Sequence, residues 1–382
     1  MSVLSWFASR RLFVLLSVTA IFCCSSLALA QEQNTAQAQT ALQPLITHAI
    51  DEHQLTLLPG NTHPLARAQF DLGTAPATLP MQRMLLVLKR SPEQEFAVRK
   101  LLDNQQDKRS PAYHKWLTPE QFGKQFGPSD GDMQTITAWL QSHGFQVGTS
   151  KGRTVLEFSG SASQVKEAFH TTIHRYIVNG EEHWANASDP SIPTALTPAV
   201  AGVLTLHNFL KKPQIRMVPQ PVTAKMRPGK SPTITFSDGS HGVAPADFAT
   251  IYSSSPLLNA VPAINGAGVT IGVIGRSDLY GVGGANGDVT QFRTNFNLSG
   301  GSLNVVLNGP DPGDLGDGDE AEATLDTSWS GAVAPFANID FVVSATTNTA
   351  DGIDLSEVYI IENNLADIMT ESFSACEADG SS

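Results

Sequence analysis

The spacing of apolar residues changes twice along the chain. Behind Arg10 and Arg11 an apolar run covers 12–22, and residues 31–80 then show weak periodicity in a Gln-, Ala-, Thr- and Pro-rich lead-in that reads as partly ordered. From 83 to 88, with MLLVL at its centre, the pattern predicts a strand. Ser91-Pro92-Glu93-Gln94 follows with an N-cap Ser, Pro at the first helical position and Gln at the third, which starts a helix reaching about 105. Thr118-Pro119-Glu120-Gln121 repeats that logic, and a helix over 130–143 is stopped by Gly144. Short strands are expected at 145–148 and 154–158 around Lys151-Gly152. A helix capped by Ser161-Ala162-Ser163-Gln164 runs to 169, and strands at 173–178 and 181–185 flank the hairpin dipeptide Asn179-Gly180. The order β, α, α, β, β, α, β, β predicts an α+β domain of ferredoxin-like type with an inserted helix.

Residues 211–240 break the regularity: Pro213, Pro219, Pro221, Pro228 and Pro232 stand among scattered Lys and Arg with no apolar period, as in an exposed linker open to proteolysis. Beyond it the period changes again. VTIGVIG (269–275) is nearly continuous and apolar, as for a strand buried on both faces. Further strands are expected at 303–307, 339–344 and 366–370, with helices over 288–296, 320–334 and 355–363 between them, which predicts an α/β doubly wound parallel sheet. The expected divisions are a signal peptide at 1–30, a lead-in at 31–80, an α+β domain at 81–210, a linker at 211–240 and an α/β part at 241–382.

Composition narrows the function classes. A formal charge of −12 over 382 residues removes the electrostatic basis of nucleic-acid binding. That charge is uneven: residues 241–382 hold two basic residues, Arg276 and Arg293, against nineteen acidic ones, a net of −17, while 31–240 hold twenty basic residues, seventeen acidic ones and nine histidines. The first thirty residues read as an export signal, since the apolar run is too short for a membrane span and Ala28-Leu29-Ala30 offers a small-x-small cleavage site before Gln31. Export by the ordinary or the twin-arginine route remains open. Cys23 and Cys24 lie inside the signal, which leaves Cys376.

Past Arg293 the sequence contains no Lys, Arg or His. In that stretch Glu322 and Asp326 are four apart on a predicted helix, so their carboxyls share one face with no in-register cation. Such a pair is either a solvated acidic face or two carboxyls that share a proton, one acting as general base and the other orienting it in acid. The acidic loop at 311–320 fails the EF-hand spacing and reads as flexible rather than as a metal site. Gly272-x-x-Gly275 lacks the dinucleotide fingerprint and reads as tight packing. Gly148-Thr149-Ser150 imitates a nucleophile motif but lies in an N-terminal hairpin, and the histidines fall at spacings that indicate no metal cluster.

Three groups of residues carry a family resemblance: YHKWLTPEQFGKQFGPS (113–129), HGVAPADFATIY (241–252) and above all DEAEATLDTSWSGAVAPFANI (319–339). With VTIGVIG and VLTLHNF (203–209), these resemble the precursors of the sedolisin and kumamolisin serine-carboxyl peptidases, an activation domain followed by a subtilisin-like catalytic domain. The resemblance implies an acid-acting, secreted or periplasmic endopeptidase zymogen with polypeptide substrates. Glu322 would be its catalytic Glu and Asp326 its catalytic Asp, and the activation domain would cover the catalytic domain of the same chain without nucleic-acid or membrane partners. It further implies a nucleophilic Ser in a Gly-Thr-Ser motif, an oxyanion-stabilising Asp and Ca2+ ligands C-terminal to anything here. The expectation is therefore an incomplete sheet, no cofactor within these residues, an inactive polypeptide as given, and a Cys376 that is half of a disulfide or a free thiol. The alternative is a secreted, non-catalytic binding or inhibitory protein built on the activation-type domain.

Overall fold

Helix starts in the N-terminal part follow the local chemistry of the chain. Ser91 Oγ accepts from the Gln94 N–H at 3.2 Å, and Gln94 Oε1 accepts from the Ser91 N–H at 2.7 Å. This reciprocal pair fixes the start of α1 (Pro92–Gln106). Thr118 with Gln121 and Ser161 with Gln164 form the same pair at α2 (Pro119–Phe126) and α4 (Ala162–Phe169). Between them, Ser129 and Asp132 do so at α3 (Asp130–Ser142), which ends before Gly144 at φ +78°. The computed structural model describes residues 42–375 apart from 205, 216–223, 227–232, 282–283, 285 and 317. The expected signal peptide, the early lead-in, much of the linker and Cys376 lie outside the described residues.

The strands of this part are β1 (Leu55–Leu57), β2 (Asp71–Thr74), β3 (Pro80–Leu88), β4 (Gln146–Val147), β5 (Val155–Ser161), β6 (Ile173–Val178), β7 (Glu181–Asn186), β8 (Ser191–Pro193) and β9 (Val200–Val203). Instead of one ferredoxin-like sheet they form two antiparallel sheets, β4-β5-β3-β9 and β2-β6-β7, with β1 paired to β8. The β6–β7 hairpin turns at Asn179 and Gly180, both at positive φ. It takes its third strand from the lead-in, a partner about a hundred residues away that periodicity cannot reveal. The lead-in is also tied down at Asp132, which is fully buried and accepts the N–H groups of Leu45 and Ile46 at 3.0 and 2.8 Å.

The run MLLVL in β3 is apolar on both faces because the strand separates two cores. Met84 and Leu86 point into the N-terminal core with Phe145, Phe158 and Phe169, while Leu85 packs against Ala350 and Leu355 of the C-terminal part. The described residues from Pro44 to Ala375 accordingly belong to one compact unit. Polar contacts reinforce the junction. Thr347 and Thr349 hydroxyls donate to the Gln82 carbonyl at 2.9 and 3.0 Å, Asn348 Nδ2 donates to the Pro80 carbonyl at 3.1 Å, and Arg83 Nη1 donates to the Asn308 carbonyl at 2.8 Å.

After 210 come β10 (Lys212–Pro213), β11 (Ala224–Met226), β12 (Ile234–Phe236) and β13 (His241–Gly242), the last three forming a small antiparallel sheet. They are followed by α5 (Pro245–Ile251), α6 (Ser255–Leu258), β14 (Thr270–Gly275), α7 (Asp288–Asn295), β15 (Ser302–Leu307), α8 (Gly318–Val333), β16 (Asn338–Val343), α9 (Gly352–Asn363), β17 (Ile368–Thr370) and β18 (Phe373–Ser374). The parallel sheet runs β15-β16-β14-β17. Val289 of α7 and Ala323 of α8 meet Val273, Ile339 and Phe341 on one face, and Ile353 and Ile360 of α9 meet Ile274 and Val342 on the other, so the sheet is doubly wound. Gly275 lets Phe341 cross the strand, since a Cβ there would collide with its ring.

Candidate active site

Glu322 and Asp326 lie one turn apart on α8. The Glu322 side chain is buried, with 2% of its residue surface exposed. Its Oε2 accepts the backbone N–H of Ile215, which follows β10. Asp326 Oδ1 accepts from the Ser372 hydroxyl at 2.9 Å, whereas its buried Oδ2 has no hydrogen-bond partner among the described residues. Burial pushes the Asp326 carboxyl up to about 6; the negative charge of Glu322 adds to this and the Ser372 bond opposes it. The pair is therefore neither a solvated helix face nor two fully ionised carboxylates at moderate acidity.

A raised carboxyl has a definite linkage sign. Folded Asp326 holds its proton from its ordinary value of 3.8 up to about 6, so its contribution to stability falls as pH rises through that window. Asp326→Asn should remove the fall, making the variant about 1 kcal/mol more stable than the parent at pH 7 and nearly equal to it at pH 4. The difference is less than the ~1.4 kcal/mol per pKa unit of a fully dry group because part of the carboxyl reaches solvent. Urea unfolding at the two pH values measures it.

The cation of this region does not face the pair. Arg276, directly after β14, is buried; its Nε and Nη2 bind Asp319 at 2.8 and 2.9 Å, and Nη1 binds Asp351 at 2.8 Å. Burial alone would lower its pKa, but the Asp319 hydrogen bonds and the Asp351 charge outweigh this and raise it. The guanidinium thereby ties the start of α8 to the start of α9 and fixes the turn that carries Glu322. Arg276→Met, which leaves two carboxylates without their cation, should cost about 3–5 kcal/mol in chemical denaturation.

The segment expected as an exposed linker is, at 211–215, engaged with this site. β10 pairs antiparallel with β18, Lys212 opposite Ser374 and Pro213 opposite Phe373, and the Gln214 N–H continues the ladder to the Ser372 carbonyl at 3.1 Å. Lys211 supplies an ammonium to Asp354 and Glu371 at 2.9 and 3.0 Å. The absence of apolar period at 211–240 concealed this, because strand pairing and ion pairs hold the segment rather than a buried stripe.

The other motifs have local roles. Ser150 of Gly148-Thr149-Ser150 donates to Glu362 Oε1 at 3.3 Å and accepts from the Arg153 N–H, so it shapes a loop whose Lys151 and Gly152 N–H groups bind the Glu362 carboxylate. Asp311 and Asp314 each accept a backbone N–H two residues on, and Asp319 is taken by Arg276. Three histidines with no sequence relation do converge: His63 and His183 stack on opposite sides of Phe209 at 4.2 Å between ring centroids, and His207 lies 4.6 Å from His63.

The buried Glu322 carboxylate is covered by the 211–215 segment of its own chain, and Asp326 beside it is half-buried. Residues 70–209 match the family model of the pro-kumamolisin activation domain. The chain is similar to sedolisin of Pseudomonas sp. (strain 101), 28% identical over 276 residues, which cover 70% of this chain and 44% of that protein. It is also similar to xanthomonalisin of Xanthomonas sp. (strain T-22), 32% identical over 151 residues, 39% of this chain and 18% of that protein. Together these matches support a sedolisin-family precursor, and the chain spans less than half the length of these curated relatives. No helix among the described residues is long and apolar enough to cross a membrane.

Proposed function

We propose that the chain is the zymogen of an exported, acid-acting serine-carboxyl endopeptidase, in which Glu322 is the general base and Asp326 orients it. One observation carries the reading: a backbone amide, the N–H of Ile215, is delivered to the buried Glu322 carboxylate by an extended strand, which is how a peptide bond meets the group that exchanges protons with it. Glu322 takes the proton of a serine hydroxyl as that oxygen attacks the peptide carbonyl, then returns it to the leaving nitrogen as the C–N bond breaks and an acyl-enzyme remains. Asp326 sits one turn away with a raised pKa, so near pH 4–5 it keeps its proton and places no second full charge beside the base. A carboxyl base of this kind serves where imidazole would already be protonated.

The serine is not supplied by these residues, since Ser150 belongs to the Glu362 loop and no Gly-Thr-Ser follows Glu322 in the sequence. Residues 31–382 alone should therefore release no peptide from denatured protein between pH 3 and 7. The same residues joined to a Gly-Thr-Ser-bearing C-terminal half should cut it in acid. Turnover by 31–382 that is lost on mutating one of its own serines would sink this assignment; so would a completed chain that folds, binds polypeptide and cuts nothing, which is the behaviour of the binding or inhibitory alternative.

A further inference from the structure

Lys211 and Lys212 are adjacent, yet only the first is taken up. Strand alternation turns Lys212 to solvent and Lys211 inward, where its ammonium meets Asp354 of α9 and Glu371 between β17 and β18. Burial opposes its charge, but the two carboxylates outweigh that and raise its pKa. Glu357, one turn beyond Asp354, is pushed up by burial and by the Glu371 charge. Asp351 accepts the Lys211 N–H at 3.0 Å but is already neutralised by Arg276. Without Lys211 the pocket would therefore hold the carboxyls of Asp354, Glu357 and Glu371 and no cation among the described residues facing it.

The pocket and Glu322 are the two ends of one ruler. Between them the backbone is extended and laddered to 372–374, so the ammonium and the Ile215 N–H are held a fixed number of residues apart. Each residue of an extended strand advances the chain by about 3.3 Å, so a slip of one residue would carry the ammonium out of the pocket. We infer that the Asp354–Glu371 pocket is a recognition site for the ammonium or guanidinium group of a Lys or Arg in an extended polypeptide, the fourth residue before the peptide N–H delivered to Glu322. In the precursor Lys211 fills it and sets the register that presents the Gln214–Ile215 bond. In a separate polypeptide, a basic residue at that place selects the bond. That this N–H belongs to a bond to be cleaved rests on the function proposed above; the recognition itself does not.

Hydrogen exchange on the full chain tests it. Lys211→Met and Glu371→Gln should each speed exchange of the Gln214 and Ile215 amides about tenfold, the loss of one charge-assisted clasp, and Lys211→Arg should not. An eight-residue peptide with the sequence of 209–216, added to the Lys211→Met chain, should slow exchange of the Phe373 and Ser374 amides. Norleucine at its third residue, the counterpart of Lys211, should weaken that protection at least tenfold, and norleucine at its fourth should leave it unchanged. Equal protection by both peptides, or unchanged Ile215 exchange in both variants, overturns the site. Discrimination by the peptides together with no cleavage in a completed chain upholds the site and removes the peptidase reading.

Discussion

Glu322→Gln, in a chain completed with a Gly-Thr-Ser-bearing half, is expected to lower peptide cleavage and self-processing roughly 10^4-fold, the scale on which loss of one member of a nucleophile–base unit acts. The substitution is nearly isosteric, and a glutamine Oε1 still accepts the Ile215 N–H that the carboxylate accepts now, so the buried surroundings keep their hydrogen bond. What is lost is a group that can take a proton and return it. Single-turnover cleavage near pH 4, with unfolding curves on the same samples, separates the two effects: the expected result is a native unfolding midpoint with the chemical step gone. Cleavage at the parental rate by a folded variant would remove Glu322 from the base role. Asp326→Asn should behave differently, retaining some turnover and flattening the limb of the pH profile near 6, because its carboxyl tunes the base without moving the substrate's proton.

Much of the fold could be read along the chain because its causes are local. The reciprocal caps at Ser91, Thr118 and Ser161 each involve groups three residues apart, and the Asn179-Gly180 turn contains its own reason for reversing. The central parallel strand β14 is nearly continuous and apolar because both of its faces are covered. Glu322 and Asp326 were legible for the same reason, their i, i+4 spacing being a statement about one helix face. What escaped was every contact whose two halves are distant. Arg276 reaches Asp319 and Asp351 over 43 and 75 residues, and Lys211 reaches Asp354 and Glu371 over more than a hundred. The acidic excess of the C-terminal part was visible as a sum, but where it acts was not: Glu362 is satisfied by the backbone N–H groups of Lys151 and Gly152, while the Lys151 ammonium stands 3.6 Å from Glu120. The second antiparallel sheet was missed because β2 lies in a stretch without period.

Acid should loosen the cover on the site through His207 before the bulk of the carboxylates protonate. The charge pattern alone leads to another expectation, in which the N-terminal histidines become charged together near pH 6.5, strengthen the attraction and leave release to pH 3–5. His207 does not follow it. Burial, then the neighbouring His63 and His183, hold its pKa down to about 3. Its Nδ1 accepts the Phe209 N–H at 3.2 Å, which requires that nitrogen to be unprotonated. The groups around the cluster offer a cation little relief, since Lys211, Lys212 and Arg276 line the same cavity of about 560 Å³ as His63 and His183, and Glu181 reaches only His183, at 3.9 Å. With a folded value far below the unfolded 6.5, the opened state binds the extra proton, so the stability of this contact is full above pH 6.5 and is lost as pH falls towards 3. The loss amounts to at most about 1.4 kcal/mol for each pH unit. Phe209 is two residues from the Lys211 clasp, and opening it frees the strand that covers Glu322. Exchange of the Phe209, Lys211 and Ile215 amides, corrected for intrinsic rates, should thus rise up to about tenfold per pH unit below 6.5. His207→Asn, whose Oδ1 accepts the same N–H but carries no charge, should remove most of that slope while keeping neutral-pH protection. An unaltered slope in the variant would assign acid release to the carboxylates alone.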